Sequence, residues 1–290
     1  MKKIFISSFL VLSLLASSQT VSDLKFDSNV VDSENSYVAL PKKEAETKFS
    51  YGFIYYDEMA GYSFRSLGDL VEENGKLKVT TDEFHKTSML TSRIGNFNLK
   101  TAKLSNDVVK KLNLESPPKW MEFYKSSKPE NEKQLSRASG LNGANFPQLA
   151  LPKLLELYKN NFKTEALYFE LIFSYNAMGK FADAEKICTE AIKNKKADDL
   201  VKKEYIYALV HQEKLKEADV FLTQNLSTFK TDNNKIEAII NTVAASAQNN
   251  NLGIAEKWLK ELKSQPNTNR YQRNIDQLES IIKEKQSKIQ

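Results

Sequence analysis

The chain has 290 residues, with 42 Lys and Arg against 37 Asp and Glu, a formal charge of +5, two histidines and one cysteine. At about 100–200 residues per domain this length predicts two domains, each able to bury its own core. A single cysteine excludes an intramolecular disulfide and a cysteine zinc cluster, and the interspersed lysines and acids lack the basic block expected of a nucleic-acid binder.

Lys2 and Lys3 precede an apolar run from Ile4 to Ala16, and an Ala16-Ser17-Ser18 cleavage pattern stands ahead of Gln19. This layout predicts a secretory signal peptide over residues 1–18. Uncleaved segments of this kind can also anchor a chain, but a bilayer span needs about 20 apolar residues and this run is shorter. No cysteine at the cleavage site invites lipid attachment, and no later segment is apolar enough to span. Loss of Lys2 and Lys3 leaves a mild charge of about +3 on a mature chain expected to be periplasmic or secreted by a bacterium, without an integral membrane segment.

Residues 19–48 are polar and charged, with Asp32-Ser33-Glu34 and Lys42-Lys43-Glu44-Ala45-Glu46, and read as an extended tether or edge segment with one short strand over 37–40. From Phe49 the pattern changes. Phe49, Tyr51, Phe53 and Tyr55 alternate with Ser50, Gly52, Ile54 and Tyr56, the period of two that places one set on one face of a strand. Asp57-Glu58-Met59-Ala60-Gly61 makes a turn and Tyr62-Ser63-Phe64 resumes the alternation, which predicts a hairpin. Gly68-Asp69 and Glu73-Asn74-Gly75-Lys76 read as further turns, 77–81 as a strand, 89–104 as one or two strands, and Asn106-Asp107 as the start of a helix carrying Val108, Val109, Leu112 and Leu114. A small strand-rich domain over 49–125 is therefore expected. Its aromatic alternation is read as a buried strand face; the alternative is a platform for glycan through Tyr51, Tyr55 or Tyr62. Pro117-Pro118 breaks the chain, and Trp120, Phe123 and Tyr124 are expected to dock one domain on the other, followed by a linker over 126–133.

The remainder, 134–290, has helical period and repeats. In the stretch 164–189, Tyr168, Leu171, Ile172 and Tyr175 share one helix face, Gly179 ends that helix, and Phe181, Ala184, Cys188 and Ala191 share a face of the next. A step of 34 forward finds Lys202, Tyr205, Ile206, Leu209, Glu213, Leu215, Ala218, Leu222 and Asn225 in the same places, apolar at every core position but the first and last. A step of 34 back finds Gln134, Arg137, Ala138, Leu141, Asn145, Pro147, Ala150, Leu154 and Leu157, where the second helix survives and the first is degraded. A further step of 37 finds Ile239, Thr242, Val243, Ser246, Asn250, Leu252, Ala255, Leu259 and Leu262, the three extra residues falling in the polar loop 228–234. Tyr271, Ile275, Leu278, Ile281 and Ile282 then line one face of a last helix, as a cap for the end of a stack requires.

These residues resemble the tetratricopeptide repeat, W-x2-L-G-x2-Y, then A-x3-F, then P, over 34 residues. Tyr168-x2-Leu171-Ile172-x2-Tyr175, Ala184-x3-Cys188 and Lys196 occupy those places, with Ile172 for the family's glycine and Lys196 for its proline. The resemblance covers about residues 130–289 and implies about three and a half hairpins and a capping helix; with the strand-rich front domain read from its own alternation, the expected fold is a two-domain α+β chain. An ordinary bundle with coincidental spacing and a helical-pair solenoid of slightly different period remain the other readings. The resemblance further implies that first helices line a concave groove for a protein or peptide, which would hold Ala166, Phe169, Phe173 and Asn176, then Lys203, Tyr207, Val210 and His211, then Ile240, Asn241, Ala244 and Gln248. Members that clamp a terminal carboxylate do so with Lys and Asn, and Phe173 and Tyr207 stand in the asparagine places, which argues against that mode here.

His85 and His211 lie far apart without metal-ligand spacing, and G-x-S-x-G, G-x-x-x-x-G-K and G-x-G-x-x-G are absent. Asp57-Glu58 and Asp198-Asp199 are adjacent acids at turns, and the repeat register buries Cys188 between helices, where a thiol is inert. The expectation is a non-enzymatic exported scaffold for envelope assembly or maintenance, with no catalytic residue, metal or cofactor. The alternative is a glycan-binding protein whose repeats only support the front domain.

Overall fold

The computed structural model describes residues 24–42, 46–74 and 76–288. The expected signal peptide, Lys43-Glu44-Ala45 and Gly75 lie outside the described residues. The chain divides into two compact units, Met1–Lys125 and Ser126–Gln290.

The first unit is built on the β3 (Phe49–Asp57) and β4 (Gly61–Glu73) hairpin, preceded by β1 (Ser28–Asn29) and β2 (Ser36–Ala39). It continues through β5 (Lys76–Thr80), α1 (Glu83–Thr87), β6 (Leu90–Arg93), β7 (Lys100–Lys103) and α2 (Asn106–Lys111). The seven strands form one antiparallel sheet in the order β1-β7-β2-β3-β4-β5, with β6 also on β4. The Asp57 carboxylate ties the hairpin turn by accepting from the backbone N–H groups of Met59 (2.7 Å) and Ala60 (3.1 Å).

Two glycines shape this sheet. The register of β3 on β4 shifts between Tyr51 and Gly52, which leaves Leu67 as an extra residue in β4. Gly68 follows at φ +133°, and a Cβ there would stand 2.3 Å from the Thr80 carbonyl oxygen. Gly68-Asp69 is thus a bulge inside a 13-residue strand and not the expected turn. The bulge lets β4 pair with β5 through Asp69–Glu73 and with β6 through Ser63–Ser66. At Gly52 a Cβ would meet the Arg65 carbonyl oxygen at 2.1 Å and the Phe64 ring at 2.6 Å, so the ring lies directly on bare backbone.

Phe49, Tyr51, Phe53 and Tyr55 are buried on one face with Tyr37, Leu70, Leu104, Val108 and Val109. Burial pushes the Tyr37 and Tyr55 hydroxyls up to about 12. Tyr51, Tyr55 and Tyr62 are 3 %, 1 % and 3 % exposed, so their rings are sheet core and offer no face to a sugar. Trp120 and Tyr124, in a 3-10 turn over Lys119–Tyr124, cover this same face within their own unit, while Phe123 is exposed. The Trp120 ring meets Phe53 at 5.7 Å and Tyr55 at 5.2 Å, and the Arg65 guanidinium lies 4.3 Å from its centroid. The segment before Phe49 is no tether in its described part. β2 lies between β7 and β3, and Val30, Val38 and Ala39 are fully buried.

The second unit begins with α3 (Glu130–Gly143), which starts inside the stretch read as linker, with Glu130 and Glu132 in its first turn. α4 (Pro147–Lys159), α5 (Glu165–Ala177), α6 (Phe181–Lys193), α7 (Asp199–His211), α8 (Leu215–Asn225), α9 (Asp232–Gln248), α10 (Leu252–Ser264) and α11 (Gln272–Ser287) follow. Four pairs and a last helix are therefore present among the described residues, the degraded first pair being complete. Within each pair the two helices meet, and α3, α5, α7, α9 and α11 pack successively on one another.

The turns inside the pairs share one geometry. Asn145, Gly179, Glu213 and Asn250 hold positive φ between 57° and 70°, and the next residue's N–H reaches back five positions, as from Lys180 to Tyr175 (2.8 Å) and from Lys214 to Leu209 (3.0 Å). This is the left-handed C-terminal cap, which satisfies otherwise orphaned carbonyls. Thr164 and Asp198, 34 residues apart, cap the N–H groups of Leu167 and Val201. The extra residues before α9 are held by Asp199, whose carboxylate accepts from the N–H groups of Lys230 (2.7 Å) and Thr231 (2.8 Å). Burial opposes ionisation of Asp199, but these bonds outweigh it and hold the carboxyl below its usual range.

Ala150, Ala184, Ala218 and Ala255 are fully buried, as is Cys188, whose thiol burial pushes well above its ordinary range. In α11, Ile275, Leu278 and Ile282 are buried while Ile281 is exposed, since one helical turn cannot turn both Ile281 and Ile282 fully inward.

Glu190 joins the first two pairs. It accepts from Lys163 Nζ (2.8 Å), Tyr168 Oη (2.8 Å) and Tyr158 Oη. Partial burial raises the cost of its charge, yet the Lys163 and tyrosine bonds prevail and hold the carboxyl at about 2. A folded value below the ordinary 4.5 means that Glu190 stabilises the fold above that pH and ceases to do so as pH falls from about 4.5 toward 2. Glu190→Gln should lower stability at pH 7 and flatten its decline across that acidic window, as measured by urea unfolding followed by helical circular dichroism.

Candidate functional site

Side chains on the first helices of the pairs occupy several different environments. Phe169 and Phe173, one turn apart on α5, are half-buried with ring centroids 6.0 Å apart. Tyr207 and His211 stack at 3.9 Å on α7, and Phe181 closes on His211 at 4.8 Å. Tyr207, Val210 and His211 share a cleft of about 420 Å³ with Glu213 and with Asn241, Ala244, Gln248 and Asn249 of α9 and its end. The expected groove residues Phe169 and Phe173 are thus apolar, whereas those around Tyr207 and His211 border a polar cleft. Ile240 packs against the helical core. Lys203 donates to Glu237 at 3.0 Å, so its charge is matched within the unit.

Asn176 is buried and is used between helices. Its Nδ2 donates to the Glu204 carbonyl (3.0 Å) and carboxylate (2.9 Å), clamping α5 to α7. Burial, only partly offset by the Asn176 bond, pushes the Glu204 carboxyl up. One repeat earlier Asn142 bonds Glu170 in the same way, at 3.1 and 2.7 Å, clamping α3 to α5. Asn142 Oδ1 accepts from Ser174 Oγ at 2.8 Å, whereas Asn176 Oδ1 has no partner among the described residues, because Ala208 stands where Ser174 stands one repeat before.

The second face of the sheet carries a different feature. An open cavity of about 380 Å³ is lined by Val30, Ile54, Phe64, Leu90, Ile94 and Leu99, with Ser50, Ser66, Ser92, Arg93 and Asn96 as its polar groups. Ser66 Oγ lies 3.1 Å from His85 Nε2, and His85 Nδ1 lies 2.6 Å from Asp82 Oδ1. Asp82 also accepts from the His85 backbone N–H at 2.8 Å as the N-cap of α1. That backbone bond and the ring hold the Asp82 carboxyl below its usual range. The His85 side chain is 14 % exposed and Asp82 is 65 % exposed. Neither spacing nor motif in the sequence associates His85 with Ser66, which lies on another element. The available signal was Asp82 three residues before His85, a spacing that joins cap and ring.

Among the described residues no group of three or more His, Cys, Asp or Glu is placed to hold a metal ion, and no helix is long and apolar enough to cross a membrane. No family model matches the chain, and neither the curated proteins nor the solved structures yield a significant match.

The two Asn–Glu clamps differ by one hydroxyl, which makes its value measurable. Ser174→Ala removes the only donor to Asn142 Oδ1 seen among the described residues and should cost about 1–3 kcal/mol in chemical denaturation, the penalty of a buried acceptor left unpaired.

Proposed function

We propose that the chain is an exported scaffold whose helical unit is a tetratricopeptide-type stack holding a protein or peptide along its first helices. The supporting observation is the cleft in which Tyr207, His211, Asn241 and Gln248 stand together with Asn249. Asparagine and glutamine amides both donate and accept, so they match the backbone of an extended peptide, while tyrosine and histidine rings supply flat apolar surface. Phe169 and Phe173 extend the apolar surface on α5. A pair of half-exposed aromatics next to polar groups is the composition of interface anchors.

Export to the envelope or beyond rests on the leader pattern of residues 1–18, and the work of the scaffold there is envelope assembly or maintenance. The glycan alternative loses its support, because the tyrosines that would stack on sugar are sheet core.

Phe173→Ala and Tyr207→Glu should each weaken capture of the protein that co-purifies with the mature chain from its own cells by at least about 30-fold, the loss typical of an interface hot spot. Helical circular dichroism should be unchanged. Undiminished capture by both variants would overturn the groove assignment.

A further inference from the structure

The cavity on the second face of the sheet and the Asp82–His85–Ser66 chain meet at one residue. Ser66 both lines the cavity and bonds His85. The direction of the two hydrogen bonds follows from chemistry. An ionised Asp82 only accepts, so His85 Nδ1 must carry the proton that bridges the 2.6 Å contact. In the neutral ring Nε2 then presents its lone pair, and the Ser66 hydroxyl donates to it across 3.1 Å. That arrangement turns a serine into a nucleophile beside a general base with an orienting carboxylate. Position is set by independent elements, Ser66 by the register of β4 on β6 and His85 by the capped turn of α1. The surroundings define what would bind. Ile54, Phe64 and Leu90 make the wall apolar, and Phe84 and Met89 stand 54 % and 63 % exposed on either side of His85 in the chain.

We propose that Ser66, His85 and Asp82 form a hydrolytic site for carboxylic esters of short to medium acyl chains, the acyl group lying in the apolar cavity. Ser66 Oγ bonds to the carbonyl carbon as its proton passes to His85 Nε2. The ester C–O bond breaks and the alcohol leaves with that proton, which leaves an acyl group on Ser66. Water then gives a proton to His85 and its hydroxyl to the acyl carbon, and the carboxylic acid departs as Ser66 recovers its proton. Ser66 and His85 are the catalytic residues. Asp82 is a positioning residue that fixes the imidazole tautomer.

The test uses the full mature chain with p-nitrophenyl butyrate and a fluorophosphonate probe. Wild type should hydrolyse the ester and carry the probe on Ser66, located by peptide mass spectrometry. Ser66→Ala should lose the label and at least about 100-fold in kcat/KM, the scale of acid–base assistance. Asp82→Asn keeps a good helix cap, since asparagine caps as well as aspartate. It should lower kcat by about 10-fold or more with KM unchanged, a split that a purely structural role would not produce. Circular dichroism confirms that each variant is folded. A folded wild type without label at Ser66, or Ser66→Ala with wild-type turnover, overturns the proposal and leaves the trio as a structural cap of α1.

Discussion

The helical unit depends on close approach of two helices at a small residue. Ala150, Ala184, Ala218 and Ala255 are each fully buried at the same place in the second helix of a pair. A larger side chain there would hold the helices apart, and the neighbouring Leu154, Cys188, Leu222 and Leu259 would no longer fill the space between them. Because the contact recurs, so does everything tied to it. The left-handed caps at Asn145, Gly179, Glu213 and Asn250 return the chain at the same point of each pair, and the first helices stack on one another. A residue on such a helix either faces its neighbour or remains outside, which is why Asn176 is spent on Glu204 while Tyr207 lines a cleft.

The front unit is governed by absence of side chains instead. Gly52 accepts the Phe64 ring directly on its backbone, and Gly68 permits the bulge that divides β4 between two partners. Both positions exclude any Cβ. The division creates the cavity wall, since β6 can approach only the half of β4 that precedes the bulge, and this brings Leu90 beside Ser66. One face of the sheet is filled by tyrosine, phenylalanine and Trp120, and the other keeps an opening bordered by polar groups.

The two units therefore offer different kinds of surface. The helical one is repetitive, and its cleft is a local departure from the repeat, where Asn241, Gln248 and Asn249 follow the three-residue insertion that Asp199 holds. The sheet brings side chains of β4, α1 and β6 together around one cavity among the described residues. Repetition suits extended ligands, whereas convergence of side chains from unlike elements suits a small one.

The sequence by itself determined the division into a strand-rich part and a helical part, the hairpin around Asp57, and the register of the repeat. Period two from Phe49 to Tyr55, and alanine and turn residues at steps of 34, 34 and 37, are local signals that the backbone obeys wherever neighbours agree. Burial of Cys188 followed from the same register. Only the tertiary structure decided that β2 is interior, that Gly68 bends a strand, that Trp120 closes its own sheet, and that Ser66 meets His85. Each of these depends on partners distant in the chain or on the direction of a side chain across a sheet. Composition near a residue carries no record of either, because contact is chosen by the packing of the whole unit and not by the neighbours in sequence.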